Sequence, residues 1–263
     1  MIYTVIARTD ILSKYYEKKW DCSSEQPLNL ITNQPYKDEF DISFDVKKLI
    51  SDTKNEKTKK ERMSAYTSLF FSLYNFFGLR PSEILRTEYS KPYIREKVSF
   101  SISHAGELTA VSLSSDTEVG VDIQERISER IGERVDKRFL NGFEFSLGDI
   151  NISYLYLTVD CNGNLELIPL KDFENEFFEI EDVRFCYGLP EKLLQSSDLR
   201  CTERWTVAEA ILKLYGRGFG DLNKLTKNTK QVVCSVNSIL FGEKIYLITT
   251  AIVKSPLCKQ LLT

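Results

Sequence analysis

Two short segments of alternating polar and apolar residues constrain the fold of this chain more than any other feature. Val98–Gly106 reads Val-Ser-Phe-Ser-Ile-Ser-His-Ala-Gly and contains His104, the only histidine of the chain, and Val119–Gln124 reads Val-Gly-Val-Asp-Ile-Gln. Alternation with a period of two is typical of half-buried β-strands. The segments therefore predict strands, one hairpin apart, that carry a hydroxyl, an imidazole and a carboxylate near their ends, where binding and catalytic groups often lie.

Two further segments have the residue spacing of helices. Residues 57–78 carry a broad apolar stripe, and the glycine at the end of this segment is a common helix C-cap. In the second segment, Thr202–Tyr215, a spacing of four places Trp205, Glu209 and Lys213 on one helix face. Taken alone, a glutamate four residues before a lysine would be interpreted as a surface ion pair.

The composition is that of an ordinary globular protein. The chain has 263 residues, of which 42% are hydrophobic and 28% charged, so it can bury a sizeable core in one large or two modest domains. A formal net charge of −3 gives no reason to expect a nucleic-acid partner. The basic run at 54–62 is interpreted either as a solvated helix start or as a phosphate-binding edge. No segment approaches the length of a membrane span, so we expect no membrane partner.

The cysteines and the first residues of the chain indicate the cellular compartment in which we expect the protein. The six cysteines have neither a Cys-x-x-Cys pair nor zinc-like spacing, and they are Cys22, Cys161, Cys186, Cys201, Cys234 and Cys258. The first residues lack the basic region and the long apolar stretch of a signal peptide. We therefore expect free thiols in a reducing, cytoplasmic environment.

Taken in chain order, these motifs resemble those of the Sfp-type 4′-phosphopantetheinyl transferases. The matching segments are Phe-Ser-Ile-Ser-His-Ala-Gly, then Val-Gly-Val-Asp-Ile-Gln, then Arg-Phe-Leu with a glutamate after it, then Trp-Thr-Val-Ala-Glu-Ala-Ile-Leu-Lys. Tyr89–Pro92 also resembles the short Lys-Pro element that precedes the histidine strand in that family. The resemblance covers roughly 57–144 and 204–222, and the ordered pair of motifs makes it fairly specific.

The resemblance implies an α+β fold in which two similar α/β halves are related by a pseudo-twofold axis. Residues 1–116 would form the N-terminal half, on the side of the coenzyme A 3′-phosphate and adenine. Residues 117–263 would form the C-terminal half, with the metal and the catalytic helix, and would include an insertion at about 146–200. We expect a monomer, because the two halves can form their shared cleft within one chain.

The resemblance also implies an activity. Family members transfer the 4′-phosphopantetheine arm of coenzyme A to a serine of an acyl or peptidyl carrier protein, with Mg²⁺, and release 3′,5′-ADP. Asp122 and Glu209 match the metal ligands, and Gln124 stands where a glutamate is common at the metal. Glu209 would also take the proton of the acceptor serine, directly or through a metal-bound water, and Lys213 would neutralise the pyrophosphate.

The remaining matches concern coenzyme A. His104 and Lys91, with the adjacent Ser103 and Pro92, match residues that hold its 3′-phosphate and adenine end. Arg62 matches an arginine at the start of the first long helix, to within about one residue of register.

Besides Gln124, two departures from the family pattern leave the function open, and they are the insertion at about 146–200 and a missing lysine. The family usually has a lysine where this chain has Ala208, and we hypothesise that Arg204, one turn earlier, replaces that cation. The chain is then either an active transferase or a degenerate member that binds coenzyme A or a carrier protein with little transfer. A plain α/β interaction protein is a third interpretation, which the retention of the matching residues disfavours.

Overall fold

A computed structural model gives a mixed α+β architecture. The residues it describes are 1–20, 41–89, 91–140, 143–170, 178–180, 183–186, 188, 196–217 and 231–254. Their helices are α1 (Thr9–Trp20), α2 (Phe44–Ser51), α3 (Glu56–Phe77), α4 (Glu129–Val135), a π-helical turn (Asp136–Leu140) and α5 (Ser197–Leu214). Their strands are β1 (Ile2–Arg8), β2 (Leu85–Arg86), β3 (Pro92–Tyr93), β4 (Ser99–Ala105), β5 (Leu108–Ser114), β6 (Val119–Glu125), β7 (Ile152–Val159), β8 (Leu165–Pro169), β9 (Phe178–Ile180), β10 (Val183–Cys186), β11 (Val232–Phe241) and β12 (Lys244–Val253).

The strands form two five-stranded sheets and one small hairpin. The first sheet has the order β4-β5-β1-β7-β8, and the second has the order β6-β12-β11-β10-β9. Within the first sheet only the β1–β7 pair is parallel, and the second sheet is antiparallel throughout. Strands β2 and β3 form the separate hairpin.

The two sheets pack face to face, and helices cover their outer faces. Ile6 and Tyr156 of the first sheet share one buried cluster with Val121 and Ile248 of the second sheet. Residues on the opposite face of the first sheet pack against α1, α2 and α3. The opposite face of the second sheet packs against α5. Because the side chains of a strand alternate between faces, each sheet covers its partner sheet on one side and helices on the other.

The long helix α3 begins and ends as its sequence predicts. Asn55 caps its first turn, since the Asn55 side chain accepts a hydrogen bond of 2.9 Å from the Thr58 backbone N–H. Gly78 ends the helix with a φ of +65°, a conformation that glycine adopts without steric penalty. The predicted C-cap is confirmed.

Helix α5 lies unusually close to strand β6. A Cβ atom on Gly120 would be 2.1 Å from the Ala210 carbonyl oxygen and 2.6 Å from the Leu214 nitrogen. Only glycine fits at such a separation, so the Val-Gly-Val-Asp motif brings the helix directly over the strand. This contact places the polar face of α5 beside Asp122, two residues further along β6.

The segment expected to be an insertion at about 146–200 contributes to both sheets. Strands β7 and β8 extend the first sheet through the parallel pairing of β7 with β1, and strands β9 and β10 extend the second. The expected second half of the chain therefore supplies two strands to the sheet built by the first half. Residues 171–177, 181–182, 187 and 189–195 of this segment lie outside the described residues.

Within the described residues, no helix is both long and apolar enough to cross a membrane. The cytoplasmic location stays a prediction.

Candidate active site

The two sheets meet at their edge strands, β4 and β6, through serine side chains. The hydroxyl oxygens of β4 accept hydrogen bonds from backbone N–H groups of β6, in the pairs Ser99–Val119 at 3.1 Å, Ser101–Val121 at 3.0 Å and Ser103–Ile123 at 3.2 Å. This β4–β6 junction accounts for the serine at every second position of β4. The sequence predicts the strand, and the partner of its polar face becomes visible only in the structure.

At one end of the junction Asp122 is the centre of a polar cluster. The residue is only 4% exposed, and its Oδ1 accepts hydrogen bonds from Ser103 Oγ at 2.8 Å and from Lys213 Nζ at 2.7 Å. Its Oδ2 accepts a hydrogen bond of 2.9 Å from Thr206 Oγ1. Lys213 Nζ also donates to Ser103 Oγ at 2.7 Å. These contacts satisfy a buried carboxylate, which would otherwise be strongly unfavourable.

Glu209 lies on α5 between Thr206 and Lys213 and is the most perturbed acid of the cluster. Burial raises the pKa of its carboxyl to about 7; the charge of Asp122 adds to the rise and the charge of Lys213 opposes it. A carboxyl group with a pKa near neutrality can accept a proton from a substrate and release it again at physiological pH. Such a pKa suits a general base.

The side-chain oxygens of Asp122, Gln124 and Glu209 are of the type that binds a hard divalent cation. Asp122 and Gln124 are two residues apart on β6 and so project to the same side of the strand, and Asp122 is close enough to Glu209 for their charges to interact. Two carboxylates and an amide oxygen are ligands that Mg²⁺ accepts alongside water and phosphate oxygens. The donor chemistry of these three side chains therefore fits Mg²⁺. Among the described residues, no group of three or more His, Cys, Asp or Glu side chains is placed to hold a metal.

His104 follows Ser103 on β4 and points towards helix α3. Its Nε2 lies 3.1 Å from Glu61 Oε2, and the other carboxylate oxygen of Glu61, Oε1, lies 3.8 Å from Lys57 Nζ. The His104 side chain is 47% exposed, whereas the Glu61 residue is only 8% exposed. Desolvation lowers the pKa of His104, and the Glu61 carboxylate partly opposes that shift.

Glu61 was missed by sequence reasoning, which singled out its neighbour Arg62. The Arg62 guanidinium donates to Thr53 Oγ1 at 2.6 Å and to the Leu49 carbonyl at 3.5 Å, so it joins α3 to α2. The structure does not bring Arg62 to His104, and no local pattern in the sequence distinguishes Glu61 from the other charged residues at the start of α3.

Lys91 and Pro92 lie at another part of the molecule's surface. Lys91 Nζ donates to Glu118 Oε2 and to the Leu214 carbonyl, both at 2.9 Å, so it caps the C-terminal end of α5. Both residues line a cavity of about 450 Å³ between residues 91–100 and the turn at 114–118. The structure thus brings Lys91 to helix α5 by way of its last carbonyl group, and not to His104.

Arg204 and Ala208 lie on the face of α5 that packs against the π-helical turn. Arg204 donates a hydrogen bond of 2.7 Å to the Leu140 carbonyl, and Ala208 is fully buried in an apolar cluster with Leu140 and Phe143. The hypothesis that Arg204 replaces the missing lysine finds no support in this arrangement, because the guanidinium binds a backbone carbonyl at the turn.

The structure therefore brings together Ser103, Asp122, Glu209 and Lys213, and it places the side chain of His104 on the opposite side of β4. No protein-family model and no curated protein matches this chain. Membership of the transferase family is accordingly a proposal.

Proposed function

We propose that this protein transfers the 4′-phosphopantetheine arm of coenzyme A to a serine of an apo acyl or peptidyl carrier protein. The observation that carries the proposal is the convergence of Asp122, Lys213 and Ser103, with Glu209 beside them at a pKa of about 7. A base, a cation and metal-binding oxygens are the groups that attack by a hydroxyl on a pyrophosphate requires. These residues come from the motifs that carry the family resemblance.

The layered architecture supports the finer assignment of the fold. Each sheet is covered by a principal helix, α3 for the first and α5 for the second, and the candidate site lies where the two sheets meet. We propose that this is the pseudo-twofold phosphopantetheinyl transferase fold, with the segment at 146–200 as an elaboration of both sheets. A monomer with one cleft follows from this proposal.

Each residue then has a chemical task. Glu209 takes the proton of the acceptor serine, whose oxygen attacks the phosphorus next to the pantetheine. The new serine O–P bond forms as the bond to the bridging oxygen breaks, and 3′,5′-ADP leaves with that electron pair. Lys213 stabilises the negative charge that develops on the departing phosphate. The arm stays attached to the carrier protein through a phosphodiester.

Asp122, Glu209 and Gln124 would hold Mg²⁺, which supplies charge neutralisation at the pyrophosphate. Ser103 and Thr206 fix the two oxygens of the Asp122 carboxylate, so the ligand is oriented before any substrate binds. His104, half exposed beside this cluster, would receive the 3′-phosphate of coenzyme A.

One observation favours the degenerate alternative, in which the protein binds coenzyme A or a carrier protein with little transfer. Ala208 is enclosed in apolar surroundings and Arg204 is engaged by Leu140, so Lys213 is the single cation that the described residues bring to Asp122. A site with fewer cations stabilises the departing phosphate less.

Mass spectrometry of apo carrier proteins tests the proposal. The protein, coenzyme A and Mg²⁺ are incubated with a panel of acyl and peptidyl carrier proteins, and we expect one carrier to gain the mass of one phosphopantetheine group. Glu209→Gln should abolish the gain, while Glu133→Gln, on the exposed face of α4, should leave it unchanged. Measurable coenzyme A binding without any mass gain would favour the alternative.

A further inference from the structure

We infer that Glu61 is a positioning residue that holds the imidazole of His104 so that its other nitrogen can bind a phosphomonoester. The inference rests on the proposed function, because the phosphomonoester it concerns is the 3′-phosphate of coenzyme A. It assigns a role to a buried carboxylate that neither the sequence motifs nor the transfer chemistry uses.

The first step of the argument is that Glu61 is buried where a carboxylate is unfavourable. The residue is 8% exposed on a helix whose neighbouring positions Met63, Ala65 and Leu69 belong to the core. Burial of an unpaired carboxylate is strongly destabilising, so a buried glutamate has charged or polar partners. Lys57 at 3.8 Å and His104 at 3.1 Å are the partners that the described residues supply.

The second step concerns the geometry of the imidazole. Nε2 of His104 faces Glu61, and among the described residues no hydrogen-bond partner contacts Nδ1. The side chain is 47% exposed, so a ligand can reach the ring. A carboxylate that accepts a hydrogen bond from one ring nitrogen fixes the orientation of the ring, and the other nitrogen is then directed away from the carboxylate. A phosphomonoester bound at that other nitrogen would favour the protonated ring, which can donate a hydrogen bond from each nitrogen.

The third step is the position of this pair next to the candidate active site. Ser103 and His104 are consecutive residues of β4, and their side chains project to opposite sides of the strand. Ser103 contacts Asp122 and Lys213, whereas His104 contacts Glu61. Strand β4 thus connects the cluster around Asp122 and Lys213 to the His104 imidazole. A ligand long enough to reach both would contact the cluster at one of its ends and the imidazole at the other.

Two ligands that differ only in the 3′-phosphate test the inference by direct binding. We would measure dissociation constants of coenzyme A and 3′-dephospho-coenzyme A by calorimetry with Mg²⁺ present, for the wild type, Glu61→Ala, Glu61→Gln and His104→Ala. Glu61→Ala should weaken binding of coenzyme A by about tenfold and leave 3′-dephospho-coenzyme A within about twofold. Glu61→Gln retains an oxygen that can contact the ring, so it should recover most of the loss.

The matched control is Glu56→Ala, which removes an exposed carboxylate from the first turn of the same helix and should change neither ligand. In a Glu61→Ala/His104→Ala double variant, coenzyme A should bind no more weakly than to His104→Ala alone, since both changes remove one interaction. Circular dichroism confirms that each variant is folded.

Other outcomes would overturn the inference. If both Glu61 variants bind coenzyme A more tightly, the carboxylate acts only by repelling the phosphate. If both ligands lose affinity equally, Glu61 supports the fold and not the imidazole. A wild type that prefers coenzyme A through His104, with Glu61→Ala unchanged, refutes the inference and leaves the proposed function intact. No preference for coenzyme A in the wild type would contradict both.

Discussion

The ammonium group of Lys213 lies 2.7 Å from Asp122 Oδ1, although 91 positions separate the two residues in the chain. The side chain of Asp122 is only 6% exposed, and that of Lys213 is 29% exposed. The pair joins helix α5 to strand β6 at the point where the two sheets meet. It links the stability of this region to the groups that the proposed reaction uses.

Removal of the cation should therefore destabilise the protein more than loss of a surface lysine does. Lys213→Met leaves the buried Asp122 carboxylate without its charge partner, and we expect a loss of about 1–3 kcal/mol in the free energy of unfolding. Urea denaturation measures this loss. Lys60→Met, which affects an exposed lysine of α3, is the control. Asp122→Asn combined with Lys213→Met should recover part of the loss, and purely additive effects would contradict the pairing.

The sequence predicts the strands and helices of this region because local patterns determine them. The alternation in β4 and β6, the apolar stripe of α3 and the left-handed conformation of Gly78 all depend on neighbouring residues. The convergence of the Asp122 and Lys213 motifs was available only through the family resemblance. From their spacing alone, Glu209 and Lys213 would be interpreted as a surface ion pair.

Two features could not be predicted because they depend on contacts between distant elements. The contact between Glu61 and His104 depends on which residue of α3 faces β4, and consecutive helix residues differ by a rotation of about 100° around the helix axis. The pairing of β7 with β1 joins strands about 150 residues apart, and no local pattern specifies a parallel partner at that distance. The predicted division of the chain into halves near residue 116 therefore did not include the pairing of β7 and β8, from the second half, with the first sheet.

Thr206 provides a test of how tightly Asp122 is oriented. Its hydroxyl donates to Asp122 Oδ2 at 2.9 Å, and the residue is fully buried. Thr206→Val retains the shape of the side chain but leaves that oxygen without its donor, so we expect a loss of about 1–2 kcal/mol in unfolding free energy and a higher Mg²⁺ requirement for transfer. Thr206→Ser should restore both. An unchanged Mg²⁺ dependence in Thr206→Val would refute an orienting role.

Gly120 tests the close approach of α5 to β6. Gly120→Ala would place a methyl group 2.1 Å from the Ala210 carbonyl oxygen, and backbone atoms on both sides cannot easily move. We expect a loss of roughly 3 kcal/mol or more in unfolding free energy, by thermal or urea denaturation. Gly148→Ala is the control, since its new Cβ would meet only the side chain of Val233, at 3.0 Å. Similar losses in the two variants would show that the helix can shift away from the strand.

The raised pKa of Glu209 should make the protein less stable at the pH values where the proposed activity needs this carboxylate ionised. Its pKa is about 7 in the folded protein, against an ordinary value of 4.5, so the folded state binds this proton more tightly than the unfolded state. As the pH rises from about 4.5 to about 7, the unfolded state releases the proton first, and stability falls. Above pH 7 the penalty from this group is constant.

Glu209→Gln removes the penalty and should abolish transfer at the same time. Relative to the wild type, the variant should be equally stable near pH 4.5 and more stable by about 1–3 kcal/mol at pH 8, as measured by urea denaturation without metal. Saturating Mg²⁺ should reduce that advantage, because a cation held by Asp122 and Glu209 favours the ionised carboxylates of the wild type. A stability difference that is the same at both pH values, or one that Mg²⁺ leaves unchanged, would mean that Glu209 does not carry the perturbed charge and does not bind the metal.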